Sequence, residues 1–197
     1  MIQGVENTQF GLDVCHGKVE RFIPWAERGL RSIKRTPFHC VLGRDFLGQI
    51  EPASAFLVDA HRRASKDLKV AALYCEMNEF DINTDEWHFH VFAYKKAGDI
   101  WDYEWLAYWN YSTEDRFVLK GMKPVERAFA NHDQYRRGEV KPLQLELAAS
   151  IAGHLVCARF VQLIAHAHKL AKRRYLPLRK LPVIATAHEW DSMAQTE

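Results

Sequence analysis

The sequence is poor in the short motifs that announce a chemistry. Its ten glycines are dispersed one at a time, so it has no glycine-rich phosphate loop and no dinucleotide-binding fingerprint. A Gly-x-Ser-x-Gly elbow and a zinc-deaminase signature are missing too. The cysteines Cys15, Cys40, Cys75 and Cys157 lie far apart, which excludes a Cys-x-x-Cys pair and a zinc-knuckle spacing. Cys75 and Cys157 sit in apolar segments and read as small core residues. Neither acid nor base is in marked excess: 27 basic residues face 25 acidic ones, for a net charge of +2. A nucleic-acid binder usually shows a clear basic excess, so nucleic acid is not an expected partner. The chain has no linker, repeat or low-complexity stretch, and it reads as one domain over residues 1–197. The first residues have neither a basic nor an apolar block, so no secretory signal is read there.

Long apolar runs are also scarce. The longest, residues 143–165, is interrupted by Gln144, Glu146, His154, Arg159 and Gln162. Placing those groups in lipid is costly, so the run reads as a buried helix of a soluble protein. No membrane association is expected, and the cytoplasm is the default compartment. With 48% apolar residues, a chain of 197 residues can bury roughly 70% of its unfolded surface without disulfides or metal.

Periodicity and punctuation then give the elements. Residues 17–35 predict a helix with Phe22, Trp25, Leu30 and Ile33 on one face, and Pro24 then lies in its first turn or marks its start. Residues 38–42 predict a short strand. A helix opens near Pro52, with Phe56, Leu57, Ala60 and Ala64 at helical spacing. Residues 69–77 and 87–94 read as strands, the second rich in aromatic and β-branched residues. Residues 103–111 and 116–120 predict two further strands. A short helix begins near Pro124, and residues 142–173 form one long helix with the stripe Val156, Phe160, Leu163, Ala167 and Leu170. Residues 181–187 add an edge strand. The expected fold is α+β: an antiparallel meander of about four strands packed against two or three helices, including one long C-terminal helix.

Three constellations can carry function. The first is His88-Phe89-His90. On a strand both imidazoles project from one face, close enough to share a divalent metal, while Trp87, Phe89 and Val91 pack inward. This His-hydrophobic-His pattern resembles the HUH motif of Rep-type and relaxase nucleases. The resemblance implies a metal held by His88 and His90 that polarises a phosphate, and a tyrosine nucleophile. Tyr108, Tyr111 and Tyr135 are the tyrosines to consider. Elsewhere Asp81-x-Asn83-x-Asp85 begins like a calcium loop, but Glu86 and Phe92 stand where such a loop needs Gly and Glu. His154 reads as a packing residue, and His166 and His168 as cations closing the long helix.

The second constellation is the crowding of aromatics in residues 87–111, interleaved with Asp99, Asp102 and Glu104. Trp and Tyr anchor protein–protein hot spots. With the acidic run at 76–86 they predict an acidic, aromatic patch made of Asp99, Trp101, Asp102, Tyr103, Glu104 and Tyr108, suited to a basic protein partner. The third is the run from Lys169 to Lys180, which carries six basic residues and no acid. It reads as a solvated helix end that could touch phosphate.

The reading that unites these is a non-enzymatic cytosolic protein-binding module, of the inhibitor or immunity type, without a cofactor. The alternative is a metal-dependent, nuclease-like enzyme using the His-x-His pair and a divalent metal. A homodimer through the helix 142–173 is a third expectation.

Overall fold

The computed structural model describes residues 18–78, 86–99, 104–132, 142–188 and 194–196. Four α-helices are seen among them: α1 (Val19–Arg31), α2 (Ile50–Ala64), α3 (Lys123–Ala130) and α4 (Pro142–Arg174). Six strands accompany them: β1 (Ala72–Met77), β2 (His88–Tyr94), β3 (Tyr111–Ser112), β4 (Phe117–Val118), β5 (Val183–Ala187) and β6 (Ala194–Thr196). The fold is α+β with one long C-terminal helix.

The sheet is not the expected antiparallel meander. Its order is β3-β2-β1-β5-β6, with β4 also pairing with β2. β1 and β2 form an antiparallel hairpin, but β5 returns beside β1 in parallel, Leu73 opposite Val183 and Met77 opposite Ala187. The long helix α4 lies between β2 and β5 in the chain, and a connection of that length is what a parallel return requires. β5 is therefore internal rather than an edge, and all five of its residues are buried. Such a strand reads as an apolar run with no alternation, which hides its place in the sheet.

Two other expected strands are 3₁₀ turns. In Pro37–Val41 the buried residues are Phe38 and Val41, three apart, the 3₁₀ repeat. The Thr36 backbone N–H donates to His39 Nδ1 at 3.1 Å and fixes the start of that turn. Glu104–Ala107 is a 3₁₀ turn within the strand expected over 103–111, of which Tyr111 is a strand residue. Trp105 and Leu106, adjacent in sequence, both pack against the same apolar cluster, which strand alternation forbids. Pro24 lies inside α1, not in its first turn.

The strands separate two faces cleanly. Leu73, Cys75, Met77, Phe89, Val91, Ala93, Val183, Ala185 and Ala187 point into the main core beneath the helices. Phe89 is its centre, with ring contacts to Phe56 of α2, Phe160 of α4 and Phe117 of β4 at 4.9–5.6 Å between centroids. Cys75 and Cys157 are buried, as their apolar surroundings imply.

Two polar residues in the middle of α4 are satisfied by α1. Arg159 reaches Glu27 at 3.1 Å and Gln162 at 3.1 Å, and Gln162 donates to Glu20 at 2.8 Å. Burial alone would raise the Glu27 carboxyl. The Gly43 N–H and the Arg31 and Arg159 guanidinium groups outweigh it and hold the carboxyl below its ordinary range. α4 is long and apolar enough to cross a membrane, yet 72% of its most apolar window is buried in this fold. His168 does not act as a surface cation at its end. It is 2% exposed, donates from Nε2 to the Leu178 carbonyl at 3.2 Å, and burial lowers its basicity.

Candidate functional site on the open face of the sheet

The second face of the sheet carries Ala72, Tyr74, Glu76 and Asn78, then His88, His90, Phe92 and Tyr94, then Ile184, Thr186 and His188. This follows from the period of two and the register Glu76 opposite His90, and Thr186 opposite Glu76. It divides along β2 into an aromatic end and an imidazole end, roughly 20 Å apart over the length of the strand.

At the aromatic end Ala72, Tyr74, Tyr94 and Ile184 form a small buried cluster, with Phe92, Trp105 and Leu106 packed on it. Trp105 meets Tyr94 edge-on at 4.7 Å, and the Tyr94 hydroxyl donates to the Leu106 carbonyl at 3.0 Å. Trp105 Nε1 donates to the Asp99 carbonyl at 2.9 Å. Its ring lies so close to Gly98 that a Cβ there would sit 2.2 Å from it. These contacts gather the 98–99 loop and the 104–109 turn. Beyond them Trp109 packs against Phe92 in a tilted geometry at 5.3 Å and stays 50% exposed, and Tyr108 is 77% exposed.

Of the residues expected to bind a partner, Asp99, Glu104 and Tyr108 are therefore brought together here. Trp101, Asp102 and Tyr103 lie outside the described residues. Trp109 belongs to the aromatic run of residues 87–111 but is not among the expected anchors. Of the acidic run at 76–86, Glu76 stands opposite His90 and bonds the Tyr74 hydroxyl of the aromatic cluster, and Glu86 lies two residues before His88 at the imidazole end. Glu79, Asp81 and Asp85 lie outside the described residues. The exposed Lys95 and Lys96 stand beside the aromatic end.

At the imidazole end His88 and His90 project from the same face with ring centroids 5.4 Å apart. His88 Nδ1 donates to the Glu86 carbonyl at 3.1 Å, and His90 Nδ1 to the Thr113 carbonyl at 3.3 Å. A carbonyl can only accept, so each neutral ring carries its proton on Nδ1 and its lone pair on Nε2. Desolvation holds His88 below the ordinary histidine range and favours that neutral form. Thr113 is buried and also ties β2 down: its N–H donates to the Val91 carbonyl at 3.0 Å, and its Oγ1 accepts the Val91 N–H at 3.1 Å. Asn78 Oδ1 accepts the His88 N–H at 2.8 Å and closes the hairpin.

The structure adds two residues that the sequence reading left aside. Glu76 stands directly across from His90, and its Oε1 accepts from His188 Nδ1 at 3.0 Å. The Tyr74 hydroxyl also bonds Glu76. Desolvation first, and the Glu76 charge second, push that phenol far above its ordinary value. The signal was available only in part. A period of two from Tyr74 predicts Glu76 on its face, but His188 comes from the parallel return of β5. Among the described residues no three His, Cys, Asp or Glu side chains close on a point that could hold a metal ion. The candidate tyrosine Tyr135 lies outside the described residues.

Comparison with protein-family models, curated proteins and solved structures finds no match.

Proposed function

We propose that this chain is a cytosolic protein-binding module, of the inhibitor or immunity type, that engages its partner at the aromatic end of the open sheet face. One observation carries the reading. Tyr108 and Trp109 are large, exposed aromatics on a turn anchored through Trp105, Tyr94 and Asp99. Rigid aromatics of this kind contribute binding area at little entropic cost. Asp99 and Glu104 flank them, so a partner presenting arginine fits best: its guanidinium can stack on the rings and pair with either carboxylate.

The test is capture from native lysate with wild type, Tyr108→Ala/Trp109→Ala and Asp99→Lys/Glu104→Lys, followed by purified-component affinities. The aromatic double variant should weaken binding by about a hundredfold or more. Unchanged affinity in both variants would overturn the reading.

A second reading is favoured by the Nδ1 bonds at His88 and His90. A metal-ligating histidine characteristically donates its other nitrogen to a carbonyl or carboxylate. In this reading His88 and His90 would hold the ion, and Glu76, opposite His90, would be the carboxylate nearest to it in the sheet. When bound, such an ion would act as a Lewis acid toward a phosphodiester, the chemistry implied by the resemblance to Rep-type and relaxase nucleases. The chain's own part is to fix the two rings through Glu86, Thr113 and Asn78. Mn²⁺ titration followed by the fluorescence of Trp87, compared with His88→Ala/His90→Ala, decides this reading. A homodimer through helix 142–173 would have to use the exposed Leu143 at its start, since most of the helix is buried, and light scattering tests it.

A further inference from the structure

We propose that the C-terminal end of α4 and the turn that follows it form a binding site for a compact ligand carrying two or more phosphate groups. The site is separate from both ends of the sheet face. Lys169, Lys172, Arg173, Leu176 and Arg179 line one open concavity of about 680 Å³. Lys180 follows directly, and residues 169–188 contain no acid.

Among the described residues none of Lys169, Lys172, Arg173, Arg179 and Lys180 is paired with a carboxylate. Their neighbours behave differently. Arg174 pairs with Glu51 at 3.0 Å, and Arg62 lies over the Tyr175 ring at 5.0 Å. Cations here use a partner where the fold supplies one, and the concavity collects those without. Like charges held this close repel, and an anion of high charge density relieves that repulsion. The helix dipole favours cations at a C-terminus, but it amounts to about half a unit charge. It does not require a second pair, Arg179 and Lys180, beyond the helix.

Both walls are fixed. Leu178 is fully buried, its carbonyl accepts from His168, and its N–H donates to the Tyr175 carbonyl. The Tyr175 hydroxyl meets His61 Nδ1 at 3.2 Å. The turn that carries Arg179 therefore cannot swing away from the helix that carries Lys169, Lys172 and Arg173, and the cations are pre-organised. Two arginines and two lysines suit phosphate oxygens. The wall has no aromatic ring, and Leu176 is its only apolar side chain, so the site reads phosphates rather than a base.

The experiment is isothermal titration of the full chain at about 0.15 M salt, where long-range attraction is screened. The probes are inorganic triphosphate, orthophosphate and a short DNA duplex. Triphosphate is expected to bind, with orthophosphate weaker by about tenfold or more. Lys172→Ala/Arg179→Ala should weaken triphosphate by a similar factor, and Lys95→Ala/Lys96→Ala should not. These side chains are on the surface, and circular dichroism checks that each variant folds. Three results would overturn the proposal: no triphosphate binding, equal losses in the two double variants, or binding of the duplex alone.

Discussion

The two ends of the open sheet face are built from the same strands and differ in what holds them. At the aromatic end Trp105, Leu106, Tyr74 and Tyr94 remove each other from water, and a short polar contact apiece orients the Tyr94 and Trp105 rings. At the imidazole end every side chain is oriented by a hydrogen bond: His88 to Glu86, His90 to Thr113, His188 to Glu76. Burial of apolar area is worth far more per residue than a half-exposed hydrogen bond. The aromatic end should therefore matter for stability and the imidazole end should not. A face that spends polar residues where they stabilise little is a face free to serve another purpose.

The largest effect that follows is on stability. Trp105→Ala should cost about 2–4 kcal/mol, the range of a large aromatic lost from a packed site, read as a shift of the urea midpoint. Gly98→Val should approach it, because its side chain would occupy the place of the indole. His88→Ala/His90→Ala should stay within about 1 kcal/mol. If the two costs came out equal, the distinction between the ends would collapse.

The aromatic end also shows where sequence reasoning stops. The helices, the hairpin of β1 and β2, and the outward direction of His88 and His90 are local properties, set by periods of 3.6 and 2 over a few residues. Trp105 was misassigned because a strand and a 3₁₀ turn are both compatible with an aromatic run. The turn is selected by packing on Tyr94 and on the cluster it shares with Tyr74 and Ile184, which are far away in the chain. His188 was invisible for the same reason. Its neighbour Glu76 is 112 residues earlier, and the pairing depends on a parallel register that an all-buried strand does not encode. His168 likewise looks like a basic residue among basic residues until Leu178 folds back over it.

A smaller effect concerns pH and separates the ends by chemistry. Burial lowers the basicity of His61, His154 and His168, and it lowers His88 at the imidazole end. A histidine depressed in the folded state is protonated first in the unfolded chain. Its contribution is present above the ordinary value of 6.5, and it is lost as pH falls through that value toward the folded one. The urea midpoint should therefore drop between about pH 7.5 and pH 5.5. His88→Asn should remove part of that drop, whereas Trp109→Ala should leave it unchanged. An acid limb identical in wild type and His88→Asn would mean that His88 stays solvated.

The smallest effect is the most discriminating. Glu76→Gln keeps the shape of the side chain and one oxygen acceptor, but it removes the charge that faces His90 and His188 and that receives the Tyr74 hydroxyl. As a structural residue, half-shielded and hydrogen-bonded to two partners, Glu76 should tolerate this change at about 1 kcal/mol or less. As a neighbour of a bound ion it should not. Losing a carboxylate in or beside a metal's ligand set typically lowers affinity by about ten- to a hundredfold. Stability and Mn²⁺ affinity measured on the same variant thus pull apart in one case and move together in the other. A stable Glu76→Gln with weakened Mn²⁺ binding would make the imidazole end the functional one. Unaltered Mn²⁺ response, or none in wild type, would leave Glu76, His88 and His90 as the polar border of a surface whose work is done by Tyr108 and Trp109.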